Sequence, residues 1–493
     1  MPARNAKKPV YCTLLIDPEW LKGSSGEEAG KKMGGFIDAP IDATEAWYRE
    51  RLMHLRLIEV RGVAREVVPD ADDENPTAAE GEVIDEDAAD DSDGERTWVP
   101  ETITLRDGRV IDTRYGTRGL KSDGRPMKAS FRCGACGQSA DILQSVTEMN
   151  ARERIGQPES AHECASCRAV AANHHPAPVA CYLLQCYDPV RDKEGHPYGG
   201  RYFKTPMKGD VGRLIAAERE WMSRKETDIA GLWPKAELPH VWKTHGWAIP
   251  EYGYTHWYKM FNTRQLLLHA LLLKECAPGR GTREDVRLQA VGAIQQYLRN
   301  QNMFCIWNHQ RDTPEPLYSN NYIHPRHLVA ENCFIGEIGR GNWTTCTEGI
   351  LEGIADVVEP FDYLFGSSNV AGGKVIVGDR VLPGAMTHNR SSSELPVDWA
   401  TTRDLVITDP PFGENMTYAD LSDFFYVWLR LVLKQDYPEQ FGPPFVPQTL
   451  EAISNPFRHP GMVEDGPDAG LMTQADAFYL RMMTECWFDT DSD

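Results

Sequence analysis

The sequence predicts an α/β fold: a partial parallel sheet toward the carboxyl-terminal end, preceded by an inserted zinc ribbon and a helical region. Three observations carry this reading. The stretches "KVIVG" from Lys374 and "DLVIT" from Asp404 are short, β-branched apolar runs, each followed by an acidic residue, Asp379 and Asp409. Short apolar runs without polar alternation read as strands buried on both faces, the pattern of parallel sheets. After the second run, Leu421, Phe424, Phe425, Trp428, Leu429 and Val432 recur at the spacing of one helix face. Well ahead of both runs, two C-x-x-C pairs mark a metal-clamped insertion.

The 493 residues, 41% of them hydrophobic, suffice for about three domains with real cores. Residues 1–68 are read as an amino-terminal α/β region, 69–96 as an acidic disordered linker and 97–212 as the zinc-ribbon region. Residues 213–345 form a helical region, a candidate DNA-recognition part, and 346–493 the domain holding the partial sheet. The amino terminus has no sustained apolar segment followed by a small-residue cleavage site, so it does not read as a signal peptide. Residues 70–95 contain 13 Asp or Glu and no Lys or Arg, more than half of the formal net charge of −21. Such a tract buries too little apolar surface to offset its ordering entropy and reads as a solvating spacer. The segments on either side, "EVRGVAREVV" and "TITLRDGRVIDTRYG", alternate like strands and are expected to pair around it.

In the helical region, "NTRQLLLHALLLKE" opens a helix whose Arg264 and Gln265 are either phosphate contacts or an ordinary solvated helix start. "TREDVRLQAVGAIQQYL" forms a second, with Thr282 as its candidate cap and Val291, Ile294 and Leu298 as core. The most apolar run, "LLLHALLLKEC" from Leu266, is interrupted by His269. It reaches about half of the roughly 20 residues that a membrane span needs. The chain therefore reads as soluble. Outside the two knuckles the cysteines are scattered, unlike a secreted disulfide framework, and a reducing cytoplasm is expected.

The knuckles are "FRCGACGQ" and "HECASC". Cys133, Cys136, Cys164 and Cys167 thus stand as C-x2-C, 27 residues, C-x2-C. Two residues between thiolates let one tight turn aim both at one ion, and Gly134 and Gly137 ease that turn. Four thiolates complete a tetrahedron and leave no open position, so the zinc is expected to be a folding clamp, not a catalyst. A redox dithiol is the competing reading. His162 is read as a neighbour of the second knuckle.

The stretch "TDPPFGENMTYADLSDFFYVWLR" places Asp409, Pro410, Pro411 and Phe412 just past the apolar run, and ligands of open α/β sheets bind at that place. Thr417 with Asp420 three residues on suggests a capping box for the helix that follows. An exocyclic amino group on a nucleobase is a poor nucleophile because its lone pair is delocalised into the ring. Two hydrogen-bond acceptors, the Asp409 carboxylate and the Pro410 carbonyl, would draw the nitrogen toward tetrahedral geometry. Consecutive prolines preorganise the backbone that presents them, and Phe412 would stack on a base extruded from its duplex. The incoming methyl must be activated, which points to S-adenosylmethionine. Read alone, D-P-P-F is also a common turn sequence.

The same stretch resembles the signature of the large zinc-ribbon-containing adenine-specific DNA methylases, many associated with phage defence, whose tetrapeptide is usually D-P-P-Y. "GGRYFKTPMKGD" from Gly199, "GYTHWYKMFNTRQLLLHALLLKE" from Gly253 and the paired knuckles resemble that family's central region in the same order. The likeness covers roughly residues 100–480. It implies a Rossmann-like class I methyltransferase sheet and N6-adenine methylation of DNA with S-adenosylmethionine as donor. By position it makes Asp409, Pro410, Pro411 and Phe412 the catalytic motif, and Asp379 an acid touching the donor's adenosine. Phe412 in place of the usual Tyr keeps the ring and loses its hydroxyl.

The family's glycine-rich D-P-F-x-G-x-G turn is not found ahead of the knuckles; "KKMGGF", "FIGEIGRGNW" and "FGSSNVAGG" read as loops. With two convincing strands, the chain is expected to be a fragment or one half of a split enzyme, completed by a further polypeptide. Two rival classes stay open. One is a non-catalytic zinc-ribbon DNA-binding subunit. The other is an amino-methyltransferase acting on RNA or protein, whose tetrapeptide more often begins with Asn.

Overall fold

The structure is a computed structural model. It describes short stretches within 11–141, most of 181–318, 329–363 and 388–488, and residues 374–376. Cys133, Cys136, Cys164, Cys167 and Asp379 lie outside the described residues.

Four amino-terminal strands, β1 (Tyr11–Ile16), β2 (Leu55–Arg61), β3 (Val63–Val67) and β4 (Glu82–Asp85), form an antiparallel sheet in the order β1-β2-β3-β4. The β4 strand lies within the tract read as an acidic linker. Its "EVID" sequence supplies two β-branched residues, and it extends the edge left open by β3. The alternating segments on either side of the tract each fold back on themselves. In the first, β2 pairs with β3. In the second, β5 (Thr102–Thr104) pairs with β6 (Val110–Asp112) across a turn in which Gly108 adopts φ 80°. Hairpin closure over a few residues costs less chain entropy than pairing across the long tract, and the local partner wins. On either side of the first cysteine pair in sequence, β7 (Ser130–Arg132) pairs with β8 (Ser139–Asp141).

From residue 181 onward, helices supply most of the regular structure among the described residues. An antiparallel pair, β9 (Leu184–Tyr187) and β10 (Arg201–Lys204), encloses the short helix α1 (Pro189–Lys193). Helix α2 (Lys208–Arg224) follows, and then the small pair β11 (Lys243–Thr244) and β12 (Trp247–Ala248). Helices α3 (Thr263–Glu275) and α4 (Glu284–Asn300) come next, with the ribbon β13 (Ile306–Asn308) and β14 (Thr313–Glu315) behind them. Helix α5 (Trp343–Val358) crosses the boundary drawn at residue 345, so helical structure runs on beyond it. It leaves Leu351, Ile354, Val357 and Val358 exposed. Then come β15 (Phe361–Tyr363), β16 (Lys374–Ile376), α6 (Tyr418–Leu433), α7 (Pro438–Phe441) and α8 (Gln474–Phe488).

The core is aromatic. Trp221, Trp257, Phe261, Tyr297, Phe424 and Trp428 are all fully buried. Phe261 stacks on Phe424 at 5.5 Å and meets Trp428 edge-on at 5.1 Å, which joins the start of α3 to α6. Such pairs add to the area they bury because ring edges and faces carry opposite partial charge. His269, which interrupts the apolar run, is a core residue. Its Nε2 lies 2.9 Å from the Gln301 carbonyl, and since a carbonyl only accepts, Nε2 carries the proton. Burial holds the ring neutral by lowering its pKa to about 4.

Helix starts are capped in ways that bear on the expected contacts. Asn262 caps α3, accepting from the Gln265 N–H while the Gln265 side chain accepts from the Asn262 N–H. Arg264 pairs with Glu331 at 2.6 Å. Both candidate phosphate contacts are therefore engaged internally. Helix α4 begins at Glu284 with Arg283, not Thr282, at the cap position.

All strand pairings among the described residues are antiparallel. Strand β16, the core of the "KVIVG" run, pairs with β15. The described residues of "DLVIT" are not in a strand, and Leu405 and Ile407 are 75% and 84% exposed. β-propensity becomes a strand only where a neighbour takes up its backbone groups, and no described strand lies alongside. Among the described residues no helix is long and apolar enough to cross a membrane. The described cysteines, Cys181, Cys186, Cys276, Cys305, Cys333, Cys346 and Cys486, are all free thiols.

Candidate functional site

Residues 407–412 lead without regular structure into a turn at Gly413 and then into α6. Gly413 adopts φ 57°, a left-handed conformation that side-chain-bearing residues rarely take. Asp409 and Phe412 are exposed, Phe412 at 71%, while Pro410 and Pro411 are half-buried. Asp409 and Pro410 each precede a proline, which restricts both to extended or polyproline backbone.

Two groups hold this segment from within. The Tyr479 hydroxyl, reaching from α8, donates to the Pro411 carbonyl at 2.8 Å. The Ser454 N–H donates to the Gly413 carbonyl at 3.2 Å. The Ser454 hydroxyl in turn donates to Asp476 Oδ1 at 2.6 Å near the start of α8. His459 stacks on Phe478 of α8 with ring centroids 4.1 Å apart. The two carbonyls with internal donors alternate with the ones that lack them. Among the described residues, no donor reaches the Asp409 carboxylate or the Pro410 carbonyl.

Beneath the loop lies a buried ionic cluster. Asp420 and Asp423, on the first turns of α6, are 1% and 0% exposed. Arg458 donates to Asp420 Oδ1 at 2.8 Å and to Glu451 Oε2 at 2.5 Å, with its side chain 8% exposed. Gln448 donates to Asp420 Oδ1 at 3.1 Å and to Asp423 Oδ2 at 3.3 Å, and the Val446 N–H donates to Asp423 Oδ1 at 2.9 Å. Burial pushes both carboxyls up, to about 6, with Arg458 pulling the other way. Asp420 is thus committed to Arg458 as well as to its own helix start. Thr417 occupies the cap position of α6 without a capping hydrogen bond from its side chain. The acceptor for that end comes from a distance, as Glu451 Oε1 takes the Ala419 N–H at 2.9 Å.

Of the residues singled out in the sequence, the structure brings Asp409, Pro410, Pro411 and Phe412 together on one loop at the start of α6. The zinc cysteines and Asp379 lie outside the described residues. Tyr479, Ser454, Glu451 and Arg458 escaped sequence reasoning because they lie 40 to 70 residues from the motif in unremarkable local sequence. One signal was present. Asp420 and Asp423 stand at i, i+3 on an otherwise apolar helix, and carboxylates on a buried stripe demand partners. No protein-family model, curated protein or solved structure matches this chain.

Proposed function

We propose that this chain is an S-adenosylmethionine-dependent DNA methyltransferase that methylates adenine at N6. Restriction-modification or phage defence in the cytoplasm is its setting, zinc its structural metal, and a further polypeptide or segment its partner in completing the fold. One observation carries the reading. On the D-P-P-F loop the Asp409 carboxylate and the Pro410 carbonyl have no donor among the described residues, while the neighbouring Pro411 and Gly413 carbonyls are taken. A target amino group brings two N–H donors, and these two acceptors can take one each. Accepting both withdraws the nitrogen lone pair from the ring and aims it outward as charge develops. Phe412, exposed beside them, offers a face for the adenine ring. S-adenosylmethionine would supply the activated methyl. Asp379, the acid implied to touch it, lies outside the described residues, so all the roles argued from geometry are on the base side. Transfer would form the N–C bond as the donor's sulfonium S–C bond breaks and a neutral thioether leaves, and the proton that the nitrogen would then lose could pass to solvent beside the exposed Asp409 carboxylate.

The test is Asp409→Ala in the full chain, with its completing partner if one is required. N6-methyladenine formation is followed by mass spectrometry on DNA, with RNA and peptide controls. Loss of a preorganised electrostatic contact predicts a fall in turnover of about 10²-fold or more, with DNA binding unchanged. Retention of more than about a tenth of wild-type turnover removes the assigned role. A wild-type chain that binds DNA and transfers no methyl group supports the zinc-ribbon binding subunit instead.

A further inference from the structure

Among the described residues, donors reach the Pro411 and Gly413 carbonyls and none reaches the Asp409 carboxylate or the Pro410 carbonyl, and the holding groups form one connected device. Tyr479 draws the Pro411 carbonyl inward, and Ser454 draws that of Gly413. Ser454 and Tyr479 are themselves joined through Asp476 and α8. The opposite end of the 448–458 segment is fastened by Arg458, which bridges Asp420 on α6 to Glu451, and Glu451 holds the first turn of α6 through the Ala419 N–H. Loop, helix start and α8 are therefore tied by six hydrogen bonds through four residues remote from the loop in sequence, Tyr479, Ser454, Arg458 and Glu451. In an extended or polyproline backbone, successive carbonyls point in different directions. The donor that holds the Pro411 carbonyl is therefore not aimed at that of Pro410 as well.

We propose that Tyr479 and Arg458 are positioning residues that clamp the D-P-P-F loop, so that the Asp409 carboxylate and the Pro410 carbonyl are held in place as acceptors. The inference deepens the functional reading given above and rests on it for its catalytic consequence. The clamp itself is a mechanical statement that can be tested without any activity. Arg458 suits the task because its planar fork addresses two carboxylates at once, which a lysine ammonium on a flexible stem does not do. Tyr479 is a positioning residue because its hydroxyl is spent on the Pro411 carbonyl.

The experiment uses Tyr479→Phe, which removes one hydroxyl at nearly constant volume, and Arg458→Lys, which keeps the buried charge. Hydrogen exchange of the Ser454 amide reports the clamp. It should accelerate by about fivefold in either variant. In an active enzyme, Tyr479→Phe should lower kcat by about tenfold or more, while KM for DNA stays within about twofold. Arg458→Lys should show the same split, and a merely destabilising change would not produce it. Unchanged exchange at Ser454 in both variants overturns the clamp. Accelerated exchange with kcat within about twofold of wild type overturns the positioning role. If wild-type chain transfers no methyl group, the functional reading fails, and accelerated exchange then still upholds the clamp.

Discussion

Phe412 is a large aromatic ring left in solvent directly after two prolines, and it has no packing role to lose. Replacing it with Ala should therefore leave the melting temperature within about 1 °C, because exposed substitutions seldom move stability. Capture of an extruded base should weaken by about 1–3 kcal/mol through lost stacking, measured as binding to DNA carrying a mismatched adenine. Phe412→Tyr should be nearly silent in both assays. Unaltered binding in the alanine variant would remove the stacking role. Asp423 sits at the opposite extreme, fully buried with its carboxyl raised from an ordinary 3.8 to about 6. Since the native state holds more protons than the unfolded chain between those values, its contribution is full below pH 3.8 and is lost as pH rises through about 6. His269 acts in the reverse sense. Its pKa falls from 6.5 to about 4, so its contribution is full above pH 6.5 and is lost as pH drops toward 4. Asp423→Asn should accordingly gain on wild type as pH rises from 4 to 7. Urea midpoints at pH 4.5 and 7.5 check this, and a variant that loses ground with rising pH would show that Asp423 is stabilised as an anion.

At the scale of elements, α6 links the candidate site to the core. Its apolar face meets Phe261 and His269, its first turns hold Asp420 and Asp423, and its N-terminal N–H groups lean on Glu451. Trp428 lies at the centre of that contact, 5.1 Å from Phe261 and 5.3 Å from His269. Trp428→Ala should cost about 3–5 kcal/mol in denaturant unfolding, the range for emptying a fully buried aromatic site. A cost below about 1 kcal/mol would mean that α6 is not a core helix. The helix was legible before the structure, because Leu421, Phe424, Phe425, Trp428, Leu429 and Val432 carry its period. Its cap was not. The Thr417–Asp420 spacing satisfies the capping-box pattern, but the Thr417 side chain makes no capping bond, and Glu451, 32 residues on, takes the Ala419 N–H while Asp420 also pairs with Arg458. The two apolar runs show the same limit. Their β-propensity was plain, but strand pairing is a property of the neighbour, and β16 found β15 in the antiparallel sense.

At the scale of the whole molecule, the zinc knuckles are the strongest prediction still to be measured. Protein purified without chelator should contain one zinc per chain, and a Cys133→Ser, Cys164→Ser double variant should lose it, both read by elemental analysis. Removing the ion should unfold the ribbon region locally, because metal affinity there is folding energy. Full zinc content in the double variant would assign the metal elsewhere. What the sequence by itself determined about this protein was local: the helices α3, α4 and α6, the D-P-P-F segment with its two acceptors and ring, and the spacing of the four cysteines. Those follow from residue type and short-range spacing, which a linear reading contains. Only the tertiary structure decided that the Pro411 and Gly413 carbonyls are held by Tyr479 and Ser454, while no donor among the described residues reaches the Asp409 carboxylate or the Pro410 carbonyl. A hydrogen-bond partner dozens of residues away is selected by packing, and no local pattern encodes which distant side chain will arrive.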